Sequence, residues 1–329
     1  MPVWVRLLEA IDRHGAAAMV TLAAARGSSP REPGARMIVN PDGTFTGTIG
    51  GGALEWQAIA LAQAALGRAG GARAEFRRFA LGPELGQCCG GQVDLLVEAF
   101  SAADREAVAA FAARETAGSF ATIAAVAPAG VARRIVDDPI PPGAASLADG
   151  VLREGFGDER RPLILFGAGH VGRALVLALA PLPFAVTWVD SRPEAFPSLV
   201  PAATTVRRLD DPAAALGPAA AGTFVLVMTH SHPLDLALVD AALRDDRFPY
   251  VGLIGSATKR ARFEKRLRET GVAAARIASL VCPIGVGGIR SKVPAVIAAA
   301  TAAELLVRDE ALRATAAGQG GLPVRRAAG

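Results

Sequence analysis

The six residues Gly167-Ala168-Gly169-His170-Val171-Gly172 constrain the fold of this chain more than any other feature. A GxGxxG run alone says little, but this one has the right surroundings. A short apolar run at 162–166 precedes it and a helical pattern follows to 180. The next apolar run, at 184–189, ends in Asp190, about 20 residues beyond the turn. Each part has a physical task. Gly167 allows the tight turn, Gly169 lets backbone approach a pyrophosphate, and Gly172 lets helix and strand pack closely. The helix N-terminus offers unpaired N–H groups to an anion, and Asp190 is placed to accept hydrogen bonds from ribose hydroxyls. Arg192, just beyond, blurs the choice between the two nicotinamide dinucleotides.

Strands at 223–228 and 250–254 continue the pattern, with helices at 233–244, 257–270 and 293–308. Alternation of this kind predicts a parallel sheet covered on both faces. The fold class is therefore α/β: an N-terminal α+β domain (1–155) followed by a C-terminal Rossmann-like domain (156–310). The tail at 311–329 is expected to be poorly ordered. In the first domain we expect a helix at 3–14 and a strand at 18–24. A hairpin follows at 35–40 and 44–48 around Pro41-Asp42-Gly43, then a helix at 53–66. Strands at 73–81 and 92–100, a helix at 102–115 and a strand at 119–126 complete it. Residues 137–160, punctuated by Pro141-Pro142-Gly143, Gly155 and Gly157, read as a linker.

Composition excludes several classes. The 329 residues are half apolar and carry a formal charge of +4 with no basic tract and few aromatics, which argues against a nucleic-acid protein. Arg supplies nearly all the basic residues, with Lys only at 259, 265 and 292. The planar donor fork of Arg suits small phosphorylated anions. Three cysteines, two of them adjacent, make no disulfide framework. Neither a membrane span nor a secretory signal pattern is read, and a cytoplasmic protein is expected.

Cys88 and Cys89 sit in a glycine-flanked loop, Gly86-Gln87-Cys88-Cys89-Gly90-Gly91. Thiolates there would suit a soft metal, sulfur transfer or redox chemistry; two small hydrophobes in a tight turn is the bland alternative. Cys282, ending an apolar run, reads as structural. His230-Ser231-His232 with Asp235 has metal-site spacing but lacks further ligands, so lining of a cleft is the preferred reading. His170 would face a ligand. Ser28-Ser29-Pro30-Arg31, Thr48-Ile49-Gly50-Gly51-Gly52, and Ser256 with Lys259 each suggest an anion-binding turn or helix start, contributed by Arg31, Gly51, Ser256 and Lys259.

Taken in order, Ser29-Pro30-Arg31, Gly50-Gly51-Gly52, the Cys88-Cys89 loop, the glycine turn at 167–172, Thr229-His230-Ser231-His232, Leu253-Ile254-Gly255-Ser256, Lys259-Arg260 and Cys282-Pro283-Ile284-Gly285 resemble the XdhC/CoxI family of xanthine dehydrogenase accessory proteins. The resemblance runs from about residue 3 to 307. It departs at Pro294-Ala295, where members of the wider family often carry an acidic residue after the proline. The resemblance implies a molybdenum cofactor chaperone rather than a catalyst. Such a protein binds molybdopterin, holds it while a cysteine desulfurase exchanges a molybdenum oxo ligand for sulfido, and passes it to the apo-subunit of xanthine dehydrogenase. It assigns a molybdenum contact to Cys88 or Cys89, with Gly90 alongside. A homodimer is the default assembly. Two other readings stand beside it. One is an NAD(P)-dependent oxidoreductase using Asp190 and a proton-transferring His230 or His232. The other is an assembly scaffold whose Rossmann domain makes protein contacts.

Overall fold

The computed structural model describes residues 2–68, 73–82, 90–127, 129–158 and 160–319, with the side chains of 193 and 316–319 left aside. The chain divides into two compact units, residues 1–159 and 160–329.

The first unit opens with helix α1 (Val3–His14), whose Trp4, Leu7 and Ile11 recur at helical spacing and are buried. Gly15, at φ 76°, ends it by donating its N–H to the Ile11 carbonyl. Strand β1 (Ala16–Arg26) follows at the centre of a five-stranded antiparallel sheet. Its neighbours are β2 (Arg36–Val39), paired in turn with β3 (Phe45–Gly47), and β5 (Gln92–Ser101), paired with β4 (Ala74–Ala80). A central strand buried on both faces reads as a continuous apolar run, which is why β1 shows no alternation. Helix α2 (Gly52–Leu66) covers one face through Leu54, Ala58, Ala62 and Ala65. Helix α3 (Arg105–Ala117) packs beside α1, where Glu115 accepts hydrogen bonds from the N–H groups of Val3, Trp4 and Val5.

A second antiparallel sheet, in the order β7-β6-β9-β8, comprises β6 (Phe120–Ala127), β7 (Gly130–Val136), β8 (Ala145–Ala148) and β9 (Val151–Phe156). The expected linker is thereby corrected. Residues 145–156 of it form a hairpin, with Gly143 and Gly150 in turns and Gly155 inside β9, and the two compact units divide at its end, between 159 and 160. Asp149 and Gly150, both at positive φ, form the two-residue turn between β8 and β9. A buried ionic chain crosses between the two sheets. Arg133 on β7 bridges Glu98 of β5 (2.5 Å) and Glu154 of β9 (2.8 Å), and Arg36 of β2 pairs with Glu154 at 3.0 Å. Burial pushes the Glu98 carboxyl up against the pull of Arg133. Burial also opposes ionisation of Glu154, but Arg133 and Arg36 outweigh it and hold that carboxyl low.

The second unit is a parallel sheet in the order β12-β11-β10-β13-β14. Its strands are β10 (Arg161–Phe166), β11 (Phe184–Asp190), β12 (Thr204–Arg208), β13 (Phe224–Val227) and β14 (Tyr250–Leu253). Numbered along the chain this is the doubly wound order 3-2-1-4-5, with its switch point between β10 and β13. The helices are α4 (His170–Leu179), α5 (His232–Leu243), α6 (Ala257–Glu269), α7 (Ala274–Ala278) and α8 (Pro294–Gln319). Apolar clusters fill both faces of the sheet, as the alternation predicted. Two details differ from expectation. Strand β12 carries no apolar pattern because only Thr204 on it is buried. Helix α8 continues to Gln319, so 311–319 is helix and not tail; 320–329 lie outside the described residues. Among the described residues no helix is long and apolar enough to cross a membrane.

Candidate functional site: the cleft at the glycine turn

Gly167, at φ 108°, receives its place from Val189, whose carbonyl accepts the Gly167 N–H at 2.8 Å. A Cβ at 167 would lie 2.3 Å from the Met228 carbonyl oxygen, and one at 172 would lie 2.2 Å from that of Gly167. Both positions therefore exclude side chains, as the motif required. Gly169, which caps α4, is exposed, and a Cβ placed there would meet nothing within 4 Å. It is the open point at which a ligand can approach backbone. Beside it lies a cavity of about 650 Å³ whose walls include Gly169, His170, Arg173, Arg192, Glu194 and His230. The structure thus brings His170 and His230 to one cleft at the carboxyl ends of β10 and β13, where doubly wound sheets bind ligands. His232, in the first turn of α5, is exposed and is not part of that wall.

Three predicted ligand contacts are engaged within the protein. Asp190 is buried, and its carboxylate accepts from Ala168 N (2.8 Å), Arg192 N (3.0 Å), Arg192 Nε (3.0 Å) and Arg192 Nη2 (2.9 Å). Burial pushes its carboxyl up, yet these bonds outweigh burial and hold the group down at about 2. Lys259 turns inward, donating to Asp235 Oδ2 at 2.7 Å and to the Ile254 carbonyl at 2.9 Å. Asp235 also accepts from the N–H and hydroxyl of Thr229 and so ties down the loop that carries His230. Ser256 caps α6 by accepting the Lys259 N–H at 3.2 Å. The metal-like spacing of the histidines is not realised: among the described residues no group of three or more His, Cys, Asp or Glu is placed to hold a metal.

In the first unit, the glycine run at 50–52 is served from within. The Glu55 carboxylate accepts from Thr48 Oγ1 (2.5 Å), Ile49 N (3.0 Å) and Gly51 N (3.0 Å). The nest that sequence assigned to an external anion is satisfied by a protein carboxylate four residues on. Glu55 in the first helical turn was the legible signal. Three of the loops do converge. Gly91 donates to the Ser28 carbonyl at 3.2 Å, and a Cβ at Gly50 would lie 2.4 Å from the Pro30 ring. Arg31 and Gly90 are exposed beside these contacts. Cys88 and Cys89 lie outside the described residues, but Leu81 and Gly91, which flank their segment, are hydrogen-bonded to each other at 2.9 Å. Cys282 is buried, as its structural reading required, and burial pushes its thiol up. Arg173, which the sequence did not single out, clamps the Ala195 carbonyl from Nη2 at 2.7 Å and closes the turn after β11.

A doubly wound unit with an open glycine turn defines a protein of the Rossmann class, in a chain that also carries a separate antiparallel α+β unit. Residues 163–305 match the XdhC Rossmann domain and residues 10–79 match the XdhC and CoxI family. The chain belongs to the XdhC/CoxI family. Among solved structures, one described as a xanthine dehydrogenase from Bacillus halodurans superposes with a TM-score of 0.75 at 22% identity, covering 93% of this chain and 96% of that one. This establishes a shared fold. The uncharacterized protein YqeB of Escherichia coli (strain K12) is 27% identical over 293 residues, or 88% of this chain. The chain spans only 43% of that relative's length.

Proposed function

We propose that this protein serves the maturation of xanthine dehydrogenase, binding the molybdenum cofactor as cargo, holding it for sulfuration by a cysteine desulfurase and passing it to the apo-subunit. Family membership supports the maturation role and an accessory rather than catalytic protein. The observation that carries cofactor binding is the convergence of loops in the first unit. Gly91 packs on Ser28 and Gly50 on Pro30, so the segments bearing Arg31 and Gly90 meet beside Gly91. Cys88 and Cys89 supply the soft thiolate that molybdenum or a transferred sulfur requires. The cleft of the second unit, with Gly169, His170 and His230, supplies backbone approach and polar walls for a phosphorylated group.

The test is release of ligand from protein purified from cells that make the cofactor, assayed in parallel for oxidised pterin, molybdenum and nicotinamide. Near-stoichiometric pterin with molybdenum is expected, with both lost in the Cys88→Ala/Cys89→Ala double variant. Nicotinamide without pterin would replace this reading with an NAD(P)-dependent oxidoreductase. A complex with the dehydrogenase that forms without either would leave a scaffold.

A further inference from the structure

The acidic residue ending the second strand of a Rossmann unit ordinarily accepts from ribose hydroxyls, while a nearby arginine accommodates a phosphate on that ribose. Here the first role is closed. An ionised carboxylate has about four acceptor positions. Those of Asp190 are filled by Ala168 N and by the N, Nε and Nη2 of Arg192, and its side chain is 4% exposed. A ribose diol would have to displace Arg192 to reach it. The second role is open. The Arg192 side chain is 40% exposed, lines the 650 Å³ cavity, and keeps Nη1 without a partner among the described residues. Arg173 lines the same cavity and likewise keeps Nη1. Among the described residues Glu194 is the one carboxylate on that wall. The Asp190 clasp holds the guanidinium in one orientation before any ligand arrives, so little side-chain freedom is lost on binding.

We propose that this cleft selects ligands bearing a phosphate monoester, with Arg192, oriented by Asp190, as the residue that recognises the phosphate. A guanidinium fork matches that group in shape and charge. A 2′-phosphorylated nicotinamide dinucleotide and a pterin monophosphate both carry it. The selectivity stands on the cleft alone, and a protein that retains no pterin on purification can still be tested for it.

Titration calorimetry of the full chain with two matched pairs provides the test: NADP⁺ against NAD⁺, and an oxidised pterin phosphate against the same compound after phosphatase treatment. In at least one pair the phosphorylated member is expected to bind about tenfold or more tightly, as charge-assisted hydrogen bonds allow. That pair identifies the source of the phosphate. Arg192→Ala is expected to erase the preference. Because that variant leaves Asp190 buried without its main partner, Arg192→Lys is measured beside it. It keeps the cation but not the fork, and is expected to retain the fold while losing most of the preference. Equal binding within both pairs, no binding of either phosphorylated probe, or an undiminished preference in folded Arg192→Lys would overturn the proposal. A preference for NAD⁺ that is lost in Glu194→Gln would also overturn it, giving the ribose to Glu194.

Discussion

Lys259 and Asp235, 24 residues apart, meet at 2.7 Å with the Asp235 side chain fully buried and the Lys259 side chain 13% exposed. The pair joins the start of α6 to the first turn of α5 and, through Thr229, to the loop after β13. Removing one partner strands a charge in the interior, which costs about 3–5 kcal/mol. Lys259→Met is therefore expected to lower the denaturation midpoint sharply, measured by urea unfolding. A change within about 0.5 kcal/mol would mean that the ammonium contributes nothing net.

Arg133 answers two carboxylates at once, Glu98 and Glu154, with all three side chains at most 3% exposed. Arg133→Met leaves both acids without their shared cation and is expected to destabilise the first unit by about 3–5 kcal/mol. Arg153→Ala, which breaks the exposed pair with Asp138, is expected to change stability by no more than about 1 kcal/mol. Parallel thermal melts of the two variants check the contrast.

The Asp190 carboxyl, held at about 2 against a usual value of 3.8, links stability to acid. Its folded value is depressed, so its contribution is fully present above about pH 4 and is lost as pH falls towards about 2. Asp190→Asn is expected to be less stable at neutral pH and to lose stability less steeply between pH 4 and 2. Melting temperatures across that range, wild type against variant, show whether the two slopes differ.

The glycines of the turn divide by their surroundings. Gly172→Ala would place a Cβ 2.2 Å from the Gly167 carbonyl oxygen and must push α4 off the sheet. It is expected to cost about 1–3 kcal/mol, the range for overpacking. Gly169→Ala projects into open space at φ −75° and is expected to fold normally, while its methyl obstructs the backbone approach to a ligand. Calorimetric binding with a melt on the same samples separates the two effects.

Much of this architecture was legible in the chain because the demands are local. The turn at 167–172 needs glycine where a Cβ would strike the carbonyls of Met228 and Gly167, and those positions are glycine. The alternating runs predicted the parallel sheet, and Pro41-Asp42-Gly43 predicted the β2–β3 hairpin. The second hairpin was equally written, in Asp149-Gly150, but β8 has only four residues, none of them buried, and β9 buries Glu154 and Gly155 beside Leu152 and Phe156, so neither shows the apolar alternation of a strand.

By itself the sequence determined where the backbone turns and which runs are buried, since steric allowance and hydrophobic periodicity act over a few residues. Only the tertiary structure decided which polar groups remain for a ligand. Asp190, Lys259 and the N–H of Gly51 look like ligand contacts in one dimension, yet each is satisfied within the fold by Arg192, Asp235 and Glu55. Arg192, Arg173, His170 and His230 line the cleft instead. A charge inside a protein is assigned by what lies within about 3 Å of it, and for Lys259 that neighbour came from 24 residues away.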